Sequence, residues 1–90
     1  MVTDRNTRQY QVEIEGITEP ATFSRLPEAL SALWAALRVL PLGWTQYEAY
    51  RYFFGEGSAE RVKTFLDRDG QLSLSFQLEG RAHAVHVRPV

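Results

Sequence analysis

The feature that most constrains the fold is an alternation of apolar and polar residues on both sides of Glu79-Gly80. In residues 71–79 every second residue is apolar, and the set is Leu72, Leu74, Phe76 and Leu78. A two-residue turn at Glu79 and Gly80 would place Leu78 opposite Arg81, Phe76 opposite His83, Leu74 opposite Val85 and Leu72 opposite Val87. This register puts apolar residues on one face of both strands, so the sequence predicts an antiparallel hairpin with one buried face.

A second alternating segment lies near the start of the chain. Residues 9–15 place Tyr10, Val12 and Ile14 on one face and polar residues on the other, and Gly16 ends the strand. Residues 17–24 contain Pro20, which is compatible with a loop or with a short edge strand that returns as a hairpin. The sequence leaves both alternatives open.

The first predicted helix begins at Pro27 and ends before Pro41. Its apolar residues recur at helical spacing and are Leu30, Leu33, Trp34, Leu37 and Leu40. Its opposite face is poor in charge and holds Glu28, Ala32, Ala35 and Val39. We expect the leucines to pack on a sheet face made by Val12, Ile14, Leu74 and Val85, and the opposite face is a candidate contact surface.

Residues 45–54 are compatible with a helix or a strand. Strand residue types are frequent there, but only helical phase gathers Tyr47, Tyr50, Phe53 and Phe54 on one side. Thr45 and Glu48 also match a capping box, so a helix is favoured. Helical phase then places Tyr52 nearly opposite that apolar stripe, where we expect it to be exposed.

A third helix is predicted after Gly55 and Gly57, with Ser58 as its N-cap and a stop near Arg68. Its apolar stripe is Val62, Phe65 and Leu66. Taken together, the segments predict one α+β domain over residues 1–90. In it, a small antiparallel sheet, made of an N-terminal strand or hairpin and the C-terminal hairpin, packs on two or three helices.

Composition excludes several kinds of chemistry. The chain has no cysteine, so disulfides, thiolate nucleophiles and zinc sites with cysteine ligands are absent. His83 and His86 are three residues apart in a strand and therefore face opposite ways, which predicts no shared metal ion. Glu13 and Glu15 share the polar face of their strand and are expected to be solvated. The sequence thus predicts no enzyme, no cofactor, no metal and no small-molecule substrate.

The leading functional hypothesis is a small protein-interaction module, of the adaptor or inhibitor type that phages and mobile elements encode. The partner would be another protein or a second copy. The candidate contact residues are Trp44, Arg51, Tyr52, Ala35 and Val39. A polar N-terminus and the lack of a membrane-length apolar stretch predict a cytoplasmic protein without a membrane partner.

A winged-helix nucleic-acid-binding protein is the alternative, because three helices followed by a hairpin is the order of elements in that fold. The charges oppose it: Lys and Arg number 10, Asp and Glu 11, and the net charge is −1. Helical phase also points Glu60, Thr64 and Asp67 outward from the third helix, where phosphate binding requires basic residues. Nucleic acid is therefore not the expected partner.

Overall fold

The computed structural model describes residues 9–90, in which three helices cover one face of a four-stranded antiparallel sheet. The elements are β1 (Tyr10–Ile14), β2 (Ala21–Phe23), α1 (Leu26–Leu37), α2 (Trp44–Phe54), α3 (Ala59–Asp69), β3 (Leu72–Leu78) and β4 (Arg81–Pro89). The predicted α+β class is confirmed. Residues 1–8, which form most of the polar N-terminal segment used to predict a cytoplasmic protein, lie outside the described residues.

The first and last strands of the described residues are neighbours in the middle of the sheet, whose strand order is β2-β1-β4-β3. Strand β1 pairs with β4 so that Val12 lies opposite Val87 and Ile14 opposite Val85. All four side chains are buried and form the floor of the core. This pairing closes the sheet between segments that are far apart in sequence.

The C-terminal hairpin has the predicted register at every pair from Leu72 and Val87 to Leu78 and Arg81. Both turn residues have positive φ, 52° at Glu79 and 81° at Gly80, which is the backbone of a type I′ turn. This turn has the twist of the flanking strands, and glycine at its second position accommodates it without strain.

The segment after β1 forms a strand, which resolves the alternative left open by the sequence. Ala21, Thr22 and Phe23 pair antiparallel with β1 and make a short edge strand. Pro20 lies just before it, where its missing N–H removes no hydrogen bond from the ladder.

Helix α1 differs from the prediction at its C-terminal end. It ends at Leu37, and a tight turn, closed by a 3.1 Å bond from the Leu40 N–H to the Leu37 carbonyl, leads into Pro41. Proline disfavours helical backbone at the residue before it, so the helix stops earlier than its leucine spacing indicates. Val39 therefore lies in the turn and is not part of the outer helix face.

The helices divide the sheet between them. Helix α1 packs on β1 and β2, whereas α3 packs on β3. Leu30, Leu33 and Leu37 are buried as expected. Leu74 of the predicted sheet face lies on β3, where α3 packs, and is half-buried against the core.

Residues 44–54 form a helix, but the predicted capping box is absent. Helix α2 begins one residue before Thr45, and Gly43 is its N-cap, with φ 82° and no side-chain cap bond. The first helical bond runs from the Tyr47 N–H to the Gly43 carbonyl. Gly43 adopts a left-handed backbone here, which no side-chain capping pattern in the sequence indicates.

Ser58 precedes α3 as predicted, but its hydroxyl caps nothing. Its backbone is already helical, with φ −89° and ψ −9°, whereas a capping serine is extended. The side chain is 1% exposed, and its Oγ has no hydrogen-bond partner among residues 9–90. The hydroxyl is therefore buried without a hydrogen bond to another described residue.

This geometry leads to a prediction that separates a cap from a buried hydroxyl. Ser58→Ala should leave the free energy of unfolding unchanged or raise it by up to about 1 kcal/mol, because it removes an unpaired polar atom. A capping serine would instead lose about 1 kcal/mol on the same change. Urea unfolding followed by circular dichroism measures the difference, and a loss of that size would show that the hydroxyl caps α3 in solution.

Candidate interaction surface

Helix α2 buries one aromatic side and exposes another. Tyr50 and Phe54 are 4% and 1% exposed, whereas Trp44 and Tyr52 are 75% and 57% exposed. Burial raises the pKa of the Tyr50 hydroxyl above its ordinary value, which keeps that side chain neutral in the core. The predicted exposure of Tyr52 is confirmed, and it follows from helical phase.

At the N-terminal end of α2, Trp44 belongs to a row of three aromatic rings. It stacks on Tyr47 with centroids 6.1 Å apart and planes 15° apart, and Tyr47 contacts Trp34 of α1 at 5.2 Å. Residues 40–44 and Tyr47 line a shallow apolar depression of about 410 Å³ beside this row. The exposed indole is therefore supported from below and borders a surface that an apolar side chain could enter.

At the other end of α2, the Tyr52 ring is fixed by α3. The Arg61 guanidinium lies over the ring, 4.0 Å from its centroid, and Arg61 Nη2 donates a 2.6 Å hydrogen bond to the Tyr52 carbonyl. The Phe53 ring meets Tyr52 edge-on at 5.4 Å. Tyr52 thus remains exposed while its ring is held in place.

Arg51 is exposed as predicted, but it is Arg61 that lies on the Tyr52 ring. The closest acidic partner of Arg51 is Glu48, at 3.6 Å within the same helix. Arg51 precedes Tyr52 directly in the sequence, but successive residues of a helix do not face each other. Arg61 belongs to the next helix, and no pattern within α2 could have identified it.

Ala35 and Val39 belong to α1 and to the turn that follows it, not to α2. Ala35 is exposed on α1 in a second depression, lined by Ser31, Trp34, Ala35, Arg38, Phe54 and Glu56. Val39 is 76% exposed in the turn after α1. Trp34 lines this depression and also contacts Tyr47, so its ring connects the α1 surface with the aromatic row of α2.

The outer face of the sheet carries a chain of side-chain hydrogen bonds across three strands. Ser73 Oγ lies 2.9 Å from His86 Nδ1, and His86 Nε2 lies 2.7 Å from Glu15 Oε2. Gln71 Nε2 donates to Ser73 Oγ at 3.1 Å. Glu15 and His86 are 71 residues apart, and only the pairing of β1 with β4 brings them together.

The hydrogen-bonded series Ser73–His86–Glu15 has the order of a nucleophile, a base and an acid. It lies on an open surface of the sheet. Glu15 is 57% exposed at its side chain, and the adjoining depression is lined by Glu13, Glu15, Gln71, His86 and Arg88. Acyl transfer also requires donors aimed at the oxyanion and exclusion of water. We therefore interpret these hydrogen bonds as a cross-strand network that joins β1, β4 and β3.

The two histidines face opposite sides of the sheet, as predicted. His83 stacks on Phe76 with ring centroids 5.5 Å apart, and its Nδ1 lies 2.9 Å from the Glu15 carbonyl oxygen. His86 belongs to the outer network. Among residues 9–90, no three histidine or carboxylate side chains come together as ligands for one metal ion.

Comparison with other proteins gives no assignment. No protein-family model, curated protein or solved structure matches the chain. None of the three helices in residues 9–90 is both long and apolar enough to cross a membrane.

Proposed function

We propose that the chain is a small, non-enzymatic protein-interaction module of adaptor or inhibitor type that acts in the cytoplasm. The observation that carries the proposal is that α2 exposes Trp44 and Tyr52 while both rings are held by neighbours. Tryptophan and tyrosine are enriched among the residues that dominate binding energy at protein interfaces. The partner is another protein that contacts the exposed side of α2.

Preorganisation strengthens this argument. A side chain that is ordered on binding loses conformational freedom, at a cost of about 0.5 to 1.5 kcal/mol for a flexible side chain. The Trp44 ring is stacked on Tyr47, and the Tyr52 ring lies under Arg61. Both rings therefore offer apolar area at a reduced entropic cost.

The spacing of the two rings also suits one interface. They are eight positions apart, which is roughly 12 Å along a helix at 1.5 Å per residue. A standard interface covers about 800 Å² on each partner, so a single partner can span both. Arg51 lies between them in sequence and is exposed.

Charge pairing on α3 disfavours the winged-helix alternative. Lys63 Nζ lies 2.8 Å from the Asp67 carboxylate, and Arg68 bonds to Asp69 at 3.1 Å. Arg61 is engaged with Tyr52. Strands β3 and β4 also continue into a four-stranded sheet instead of forming a separate wing. A helix that binds phosphates needs basic side chains without acidic neighbours.

The proposal predicts that Tyr52→Ala and Trp44→Ala separate binding from stability. Each should leave the melting temperature nearly unchanged, because both side chains are exposed, and should weaken association with the partner by about 1 to 3 kcal/mol. The partner is first captured on the immobilised chain, and its affinity for each variant is then measured by calorimetry.

Val90→Ala is the matched control, because Val90 is 61% exposed but lies beyond the end of β4. Its affinity should equal that of the unmodified chain. Equal affinities for all three variants would place the binding surface elsewhere. Unfolding caused by Tyr52→Ala would show that this residue supports the fold, and its assignment to the surface would fail.

A further inference from the structure

Strand β3 forms one edge of the sheet, and one residue on that edge is already bonded as if to a neighbouring strand. Gln46 of α2 donates from Nε2 to the Gln77 carbonyl at 2.9 Å, and its Oε1 accepts from the Gln77 N–H at 2.8 Å. The Gln46 amide therefore occupies the place that a peptide group of another strand would take.

The rest of this edge also has outward-pointing N–H and carbonyl groups, but no described side chain bonds to them as that of Gln46 does to Gln77. Backbone groups along a paired edge strand point alternately toward and away from their partner, so those of Ser73 and Ser75 point the same way as those of Gln77. No hydrogen bond from another described segment reaches these two backbone positions. They are open sites for strand addition.

The usual protection of an edge strand is also missing from β3. Natural edge strands carry lysine, other charges, proline or a bulge that prevents pairing with another chain. The sequence of β3 is LSLSFQL, which contains no charge and no proline. Gln46 protects the Gln77 end only.

We propose that a second copy of the chain pairs antiparallel with β3 across a two-fold axis near Ser73, joining the two sheets into one. A strand that pairs with itself must not place like charges together, and β3 has none, while the net charge of each chain is only −1. Ser73 and Ser75 are small and exposed, so they allow close approach. Leu74, half-buried on the helix side, gains cover from the partner strand.

The test is the oligomeric state of the full chain by sedimentation equilibrium between 1 and 500 μM protein, concentrations chosen on the order of weak dimer affinities. We expect a concentration-dependent dimer. Ser75→Pro should abolish it, because proline removes the outward N–H without removing a bond to β4. Gln46→Ala should leave the dimer affinity unchanged, because an axis at Ser73 sets Gln77 opposite Asp69 of the second copy, which lies in α3 outside the paired strand.

Ser75→Lys and Ala84→Lys form a matched pair, since these residues lie opposite each other on β3 and β4. Both add one charge to the same sheet face, but only the first lies on the edge. We expect Ser75→Lys to weaken the dimer at least tenfold more than Ala84→Lys, with similar melting temperatures. A monomer at all concentrations, or a dimer equally sensitive to both changes, would overturn the proposal. Binding of an extended peptide of another protein at this edge, without a dimer of the chain itself, would also overturn the proposal.

Discussion

Leu33→Ala is expected to lower the free energy of unfolding by about 2 to 5 kcal/mol, because it opens a cavity in a closely packed core. Leu33 is 3% exposed on the side of α1 that packs on β1 and β2. Small domains have about 5 to 15 kcal/mol of stability, so this loss would unfold a substantial fraction of the protein on warming. Urea unfolding followed by circular dichroism gives the value.

Val39→Ala is the control for this substitution. It also shortens an aliphatic side chain near the same helix, but Val39 is 76% exposed and contributes little buried area. Its cost should stay within about 0.5 kcal/mol. If Leu33→Ala shifted stability no more than Val39→Ala, α1 would not pack on the sheet as described.

Gly55→Ala is expected to cost about 1 to 3 kcal/mol through steric overlap. A Cβ at this buried position would lie 2.5 Å from the carbonyl oxygen of Arg51, which is a backbone atom and has little freedom to move. The backbone itself is not the obstacle, since its φ of −74° and ψ of −174° are accessible to alanine. The last turn of α2 would have to shift.

Glu56→Ala tests whether the loss of stability is specific to Gly55 or follows from any substitution in the loop after α2. Glu56 is exposed and directly follows Gly55, so its change to alanine should stay within about 0.5 kcal/mol. Thermal and urea unfolding of both variants measure the contrast. Equal stability of the two variants would show that the end of α2 is loose enough to accept a side chain.

The strands could be predicted in detail where two local signals agreed. In the C-terminal hairpin, the alternation of residues 71–79 and the turn at Glu79 and Gly80 independently require one register, and the structure has that register. The pairing of β1 with β4 was not predicted, because it brings together residues as far apart as Tyr10 and Pro89. Alternation shows which side of a strand is buried but not which strand lies beside it.

Helix existence was more predictable than helix ends. The phase of Tyr50 and Phe54 identified α2 because burial acts on a whole stripe of side chains. The N-cap of α2 is Gly43 and not Thr45. Ser58 is the N-cap of α3 as predicted but forms no side-chain cap bond, since capping depends on the backbone angles of one residue. The capping pattern in the sequence carries no information about angles such as the φ of 82° at Gly43.

The candidate surface was predictable in part, because helical phase shows which side chains of a helix are exposed. Helical phase placed Tyr52 outside the core, but the arginine that holds its ring comes from α3. Likewise, Gln46 has no sequence signal that relates it to Gln77, 31 residues away. Residues that position a site through contacts between elements become visible only when the packing is known.

Site-directed photocrosslinking tests most directly whether the exposed side of α2 binds a partner protein. The photoreactive amino acid p-benzoylphenylalanine would replace Tyr52 in one variant and Thr22 in another, and each would be irradiated in the native host. Thr22 is exposed on β2, on the face of the sheet opposite the helices, and serves as the control. We expect adducts with one protein from position 52 and none from position 22. Adducts of equal yield from both positions, or adducts from position 52 with nucleic acid alone, would contradict this expectation.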